Sequence, residues 1–164
     1  FRTTLPGAGP RHLAFHPGGR LAFLVSELYS KIETLAYDPA RGFTATLDRK
    51  DLLEGGGNGR GSDQDLAAAV RLAPEGGKVV ASTRGEQSLV AFGFDESTGA
   101  LAFKARSVLP GSWPRDFIFL SDTLALAAME RSGEVHSLRY DPATGSFRVL
   151  STLGGLHRPV ALLK

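Results

Sequence analysis

The chain has 164 residues, 42% of them apolar, and its 19 basic and 17 acidic side chains give a formal charge of +2. That balance places it with globular rather than disordered chains; no apolar run reaches the roughly 18 residues of a bilayer-spanning helix, and the dispersed charge leaves no basic stripe for nucleic acid. The absence of cysteine excludes disulfides and thiolate zinc sites and suits a reducing cytoplasm, the location expected here.

The segment Phe1-Arg2-Thr3-Thr4-Leu5 has no basic stretch followed by an apolar one, so it does not read as a signal peptide. It reads as the outer strand of a unit that starts upstream, in keeping with a first residue other than Met. Four short strands follow, from Arg11 to His16, Arg20 to Ser26, Lys31 to Tyr37 and Phe43 to Asp48, with the turn Pro17-Gly18-Gly19 between the first two. A glycine-rich insertion from Glu54 to Asp63 comes next. Neither Lys-Ser nor Lys-Thr follows it and no helix starts there, so the reading is a flexible loop rather than a phosphate cradle.

The pattern then recurs. Strands are expected at Ala68 to Ala73, Lys78 to Thr83, Ser88 to Phe94 and Leu101 to Arg106, and again at Asp116 to Leu120, Thr123 to Ala128, Glu134 to Tyr140 and Phe147 to Thr152. Each repeat carries the same turn: Tyr37-Asp38-Pro39-Ala40-Arg41-Gly42, Phe94-Asp95-Glu96-Ser97-Thr98-Gly99 and Tyr140-Asp141-Pro142-Ala143-Thr144-Gly145. The aspartate can accept bonds from the backbone just ahead of it, and the glycine supplies a positive φ. The turn aspartates are 57 and then 46 residues apart, the longer interval holding the insertion, so the period is about 45 residues, the length of a propeller blade.

The expected fold is therefore all-β, with β-propeller blades at about 10–53, 64–109 and 113–153 and an inner strand of a further blade at 157–164. Three blades do not close a ring of about four to eight. The open blade faces call for N-terminal blades upstream of Phe1 or for a second chain.

In such a blade the first strand, A, runs across the disc and the second, B, returns. The start of A and the end of B then share one face beside the central channel. Arg11 and Arg115 stand at starts of A; Glu27, Arg84 and Glu130 stand at ends of B. Converging guanidiniums suit a small anionic ligand, because they pair bidentately with carboxylate or phosphate.

The residues Gly9-Pro10-Arg11-His12-Leu13-Ala14-Phe15-His16-Pro17-Gly18-Gly19, Ser26-Glu27-Leu28, Thr83-Arg84-Gly85 and Trp113-Pro114-Arg115-Asp116-Phe117 resemble the bacterial lactonase family of seven-bladed propellers. That family includes propeller-type 6-phosphogluconolactonases and is similar to the fungal carboxymuconate lactonizing enzymes. The resemblance spans nearly the whole chain and the C-terminal half of the family's length. The chain departs from the family at Ser26 and Thr83, where Asn is usual, and at Met129-Glu130, where Asn-Gln is more usual; the histidine of the lactonizing branch belongs to an earlier blade.

The resemblance implies a lactonase-type enzyme acting on a small acidic lactone of sugar or muconate type; no cofactor is expected, and no metal, because His136 and His157 lack the partner spacing of a metal site. Arg11 then reads as an anion clamp, or as a charge that closes the rim against Glu27. Glu27 reads as the general acid or base, or as the group that orients Arg11, and Arg84 as an oxyanion stabiliser or a turn arginine. Arg115 reads as a substrate contact or, with Asp116, as an inter-blade ion pair; His12 as a packing histidine before a substrate ligand; Trp113 as packing or a wall of the site; and Glu130 as a further rim contact. The rival from another class is a non-catalytic propeller that binds a protein or metabolite.

Overall fold

Each repeat becomes one antiparallel meander in the computed structural model, which describes residues 5–55 and 66–164. The first sheet holds β1 (Pro10–Phe15), β2 (Leu21–Ser26), β3 (Lys31–Asp38) and β4 (Gly42–Asp51). The second holds β5 (Ala67–Leu72), β6 (Lys78–Thr83), β7 (Ser88–Phe94) and β8 (Leu101–Val108), and the third β9 (Pro114–Phe119), β10 (Leu124–Met129), β11 (Glu134–Tyr140) and β12 (Phe147–Leu153). In every sheet the strands lie in sequence order, and the described residues contain no helix. Strands β6, β7 and β11 fall on the expected residues, and the others differ by one to three residues at an end.

The middle strands read as continuous apolar runs because packing between and within blades buries residues on both of their faces. Leu21 to Ser26 of β2 are all buried, as are Val79 to Thr83 of β6. Phe23, Val25 and Ile32 pack on Val70, Val79, Val90 and Phe92 between the first two blades. Val80, Leu89 and Ala91 pack on Phe117, Met129, Leu138 and Tyr140 between the second and third. The alternate residues of β2 point the other way, and Ala22 and Leu24 cluster with Leu13, Leu35 and Phe43 of their own blade alone. The first strands of successive blades, β1, β5 and β9, are neighbours, so they form the inner edge.

The repeated turn works as its residues dictate. Asp38 Oδ1 accepts the N–H groups of Ala40 and Arg41 at 2.9 and 2.8 Å, and Asp95 Oδ1 accepts those of Ser97 and Thr98 at 2.9 and 2.8 Å. Gly42, Gly99 and Gly145 close these turns with φ of 76°, 76° and 83°. A bond from the Ser97 hydroxyl, then the backbone and hydroxyl of Thr98, hold the Asp95 carboxyl at about 2. The unfolded value is about 3.9, so this turn's contribution is complete above about pH 4 and is lost as pH falls toward 2. Asp95→Ala is expected to make the loss of stability between pH 4 and 2 shallower, read from thermal unfolding at a series of pH values; an unaltered slope would show that the turn does not couple to folding.

Residues 157–164, expected as an inner strand, form none. A strand is defined by its ladder, and no described strand pairs its backbone with this segment. Instead Leu162 donates its N–H to Asp116 Oδ2 at 3.0 Å and Lys164 Nζ donates to the Leu120 carbonyl at 2.9 Å. Of the strand expected at residues 1–5 and the loop expected at 55–61, all but Leu5 and Gly55 lie outside the described residues.

Candidate functional site

One backbone bond, repeated in every blade, builds the frame. The residue after strand B donates its N–H to the carbonyl just before strand A: Glu27 to Gly9 at 2.7 Å, Arg84 to Leu66 at 2.9 Å and Glu130 to Trp113 at 2.9 Å. Glu27, Arg84 and Glu130 are thus equivalent positions, held alike and differing only in side chain. The turn beyond each ends on a residue with positive φ, Ser30 at 45°, Gln87 at 52° and Gly133 at 67°.

The starts of the inner strands are bulged. Pro10 pairs with Ser26 and His12 with Val25, leaving Arg11 without a counterpart; Pro114 pairs with Met129 and Asp116 with Ala128, leaving out Arg115. An extra residue in one strand re-aims its side chain, and here both unmatched residues are arginines of the rim. In the second blade the register slips between Ala67 and Val70. There two buried carbonyls take rim arginines: that of Ala68 accepts Arg11 Nη1 at 2.7 Å and that of Ala67 accepts Arg84 Nη2 at 3.0 Å.

Two carboxylates organise the guanidiniums. Glu27 bonds Arg84 through Oε1 and lies 3.7 Å from Arg11 Nε through Oε2. Glu130 receives Arg115 Nη1 on Oε2 at 2.9 Å and Arg158 on Oε1. The difference between them is accessibility: the Glu27 side chain is 30% exposed and that of Glu130 5%. Burial would raise the Glu130 carboxyl, but the bonds from Arg158 and Arg115 outweigh it and hold it below its ordinary value. Glu130 is a saturated anion, whereas Glu27 keeps one oxygen loosely engaged.

Burial and then the nearby Arg84 depress the Arg11 guanidinium, Glu27 opposes them and Arg115 adds to them. Arg11 remains a cation, but a crowded one that an incoming anion would relieve. Arg84 donates through Nε to the Leu66 carbonyl at 3.2 Å and through Nη2 to Glu27 and Ala67. Its Nη1 makes no bond among the described residues, and the Trp113 ring lies 5.4 Å from its guanidinium carbon.

His12 is a strut between blades. Its Nδ1 accepts the Val70 N–H at 3.3 Å, Arg71 Nη1 lies 2.9 Å from Nε2, and burial followed by Arg71 holds the imidazole below its ordinary pKa. Arg115 does not pair with Asp116 as the sequence invites; it turns to Glu130 of its own blade, while Asp116 accepts Arg71 Nη2 at 3.0 Å from the blade before. The bulge explains this, because it sets adjacent residues on different paths. Trp113 is 7% exposed and packs among the rim arginines. Ser26 Oγ is buried with no hydrogen-bond partner among the described residues, and Thr83 Oγ1 turns to Ser88 Oγ at 2.7 Å.

Sequence reasoning passed over Arg71, Arg131 and Arg158. A charged residue inside the apolar run of β5 marked Arg71, and His157-Arg158-Pro159 echoes Pro10-Arg11-His12. Arg131 has no signal until Trp113 is placed beneath it.

A family model described as "Lactonase, 7-bladed beta-propeller" matches residues 1–163. The 6-phosphogluconolactonase of Bacillus subtilis is 30% identical over 96% of this chain and 44% of its own length, and that of Pectobacterium carotovorum is 31% identical over 91% and 44%. The periplasmic gluconolactonase of Pseudomonas aeruginosa superposes with a TM-score of 0.85 at 30% identity, covering 96% of this chain and 43% of that one. The chain therefore spans less than half the length of the relatives it matches.

Proposed function

The chain belongs to the lactonase family of seven-bladed β-propellers, and we propose that the complete protein hydrolyses, or in reverse forms, a small acidic lactone of sugar or muconate type in the manner of a 6-phosphogluconolactonase. The observation that carries this reading is the cluster of Arg11, Glu27 and Arg84, in which Glu27 and Arg84 hold equivalent backbone positions of adjacent blades and Arg11 projects from the bulge of β1.

In hydrolysis Glu27 takes a proton from water as the water oxygen attacks the lactone carbonyl. The carbonyl oxygen becomes an oxyanion, which Arg84 and Arg11 stabilise as cations already in place. The ring C–O bond then breaks, and the leaving oxygen takes back the proton that Glu27 holds. Glu130 has no comparable role, since both its oxygens are bound by arginine. Arg115 and Trp113 complete the rim, and His12 positions β5 against β1 rather than touching substrate.

The remaining blades of a longer polypeptide are the proposed cover for the open faces of this chain, consistent with relatives more than twice as long. A cytoplasmic location rests on the absence of cysteine; one structural neighbour is periplasmic by name.

The test is an assay of the complete gene product on acidic and neutral lactones. Arg84→Met is expected to lower kcat by about 10²–10³, the loss typical of one oxyanion donor, with a smaller change in KM. Absence of turnover on every acidic lactone would return the molecule to a binding scaffold.

A further inference from the structure

The two interfaces between blades share a plan, of which the first blade carries one unmatched half. Phe15 ends β1, and Tyr37 and Phe43 flank the turn between β3 and β4. By strand pairing they correspond to Leu72, Phe94 and Leu101 in the second blade and to Phe119, Tyr140 and Phe147 in the third. In those two blades the set shares a core with the preceding blade: Leu72, Phe94 and Leu101 with Phe23 and Val25, and Phe119, Tyr140 and Phe147 with Val80, Leu89 and Ala91. The rings of the first blade touch one another, Phe15 to Tyr37 at 5.0 Å and Tyr37 to Phe43 at 5.3 Å between centroids. Phe15 is nevertheless 48% exposed, and the other two are only half-buried.

The preceding blade also grips the turn, in a way that follows the residue it meets. Glu75, in the turn between β5 and β6, accepts the Tyr140 hydroxyl at 2.7 Å. Lys78, three residues on, donates to the Pro142 carbonyl at 2.5 Å and to Glu75 at 3.1 Å. Burial followed by the Glu75 bond pushes the Tyr140 phenol up, so its hydroxyl stays a donor. Between the first and second blades the residue met is Phe94, which has no hydroxyl; there His16, from the turn between β1 and β2, sets its ring edge-on at 5.4 Å and stands 3.7 Å from Glu96. An acceptor is supplied where the turn begins with tyrosine and not where it begins with phenylalanine. The turn glycines are covered as well: a Cβ on Gly99 would stand 2.6 Å from Leu47 Cδ1, and one on Gly145 2.9 Å from Ala91 Cβ and 3.3 Å from Lys78 Cδ.

The first blade repeats the third at this place. Tyr37-Asp38-Pro39-Ala40 matches Tyr140-Asp141-Pro142-Ala143 residue for residue, whereas the second blade reads Phe94-Asp95-Glu96-Ser97. Yet the Tyr37 hydroxyl has no hydrogen-bond partner among the described residues, and nothing lies within 4 Å of a Cβ built on Gly42.

We propose that this corner is the receiving half of a lock between blades, and that the preceding blade of the complete polypeptide presents a carboxylate to the Tyr37 hydroxyl and, three residues further on, a lysine to the Pro39 carbonyl. The interface between the second and third blades is the template, with Glu75 and Lys78 in those roles. The lock rests on the reading in which upstream blades cover the open face of this chain. Apolar packing is non-directional, whereas a charge-assisted bond to one hydroxyl specifies which turn docks here and in what register. Arg11 and Glu27 belong to the same blade, so the lock also holds their blade against its upstream neighbour.

Two measurements on the complete gene product test this. The first reads the chain ahead of Phe1: an Asp or Glu followed three residues later by Lys, in a glycine-containing hairpin turn, is expected at about the 65-residue separation from Tyr37 that Glu75 has from Tyr140. The second compares Tyr37→Phe with Tyr140→Phe in urea unfolding. Each is expected to raise the unfolding constant about tenfold, the weight of one hydrogen bond to a charged group, and Tyr37→Phe is expected to add nothing once the upstream carboxylate is replaced by alanine. Absence of the acid and lysine from that turn, or a Tyr37→Phe variant as stable as the wild type, overturns the lock. Phe15→Ala tests the cover separately. If it destabilises as much as Phe119→Ala while Tyr37→Phe does nothing, upstream blades cover the face without the lock; if Phe15→Ala is neutral too, the cover itself falls.

Discussion

Glu27→Gln is expected to lower kcat/KM for an acidic lactone by about 10²–10⁴ in the complete protein, the range removed with a general acid or base. The substitution keeps shape and one acceptor oxygen, so Arg84 and Arg11 lose a charge without losing a neighbour. A purely orienting role predicts something else. If Glu27 only holds Arg11 and Arg84 in place, the amide retains much of that function and the loss falls mainly on KM. The pH profile separates the two further, because a proton carrier leaves an acid limb on kcat that the amide variant lacks. Glu130→Gln is the matched control at an equivalent backbone position. Its carboxylate is bound on both oxygens by Arg115 and Arg158, so its loss is expected to lower stability while leaving the shape of the pH profile unaltered. Unchanged turnover in Glu27→Gln would take Glu27 out of the mechanism.

How much of this was legible in the sequence follows from what each feature depends on. The turns at Asp38, Asp95 and Asp141 are local, built by an aspartate and a glycine a few residues apart; their recurrence set the blade period, and the short apolar runs between turns set the strands. The convergence of Arg11, Glu27 and Arg84 also followed, since it needs only the direction in which successive strands run. What remained hidden depends on register and on contact between blades. The bulges that leave Arg11 and Arg115 without counterparts are single-residue slips with no composition of their own. Because of them Arg115 pairs with Glu130, and Asp116 reaches back to Arg71. The left-handed backbone at Trp113 runs against the rule that glycine fills such positions. Residues 157–164 read as a strand by pattern, but pattern supplies no ladder partner.

The 164-residue chain produced on its own is expected to self-associate rather than persist as a monomer. Its first blade turns Leu13, Leu24 and Phe43 away from the second, and Phe15 beside them is 48% exposed. Its third blade does the same at the other end. The alternation that sends Phe117, Ala125 and Ala127 into the shared core directs Ile118 and Leu126, which face each other across the ladder, to the opposite side, and Leu153 at the end of β12 is 62% exposed. Each large apolar side chain contributes roughly 1.5–3 kcal/mol when fully buried, against a typical domain stability of about 5–15 kcal/mol. Leu24 and Ile118 are already buried within their own blades, so the gain comes from Phe15 and Leu153 with the half-buried Leu13, Phe43 and Leu126; several such side chains at two faces are a sizeable part of that margin. Light scattering across micromolar concentrations should show mass rising with concentration, and the complete polypeptide should remove that dependence because its other blades occupy the same surfaces. Leu126→Glu, which sets a charge in the open face of the third blade, should shift the equilibrium of the short chain toward smaller species. A well-folded monomer of the short chain, unaffected by that substitution, would mean that its end faces are satisfied within the chain itself.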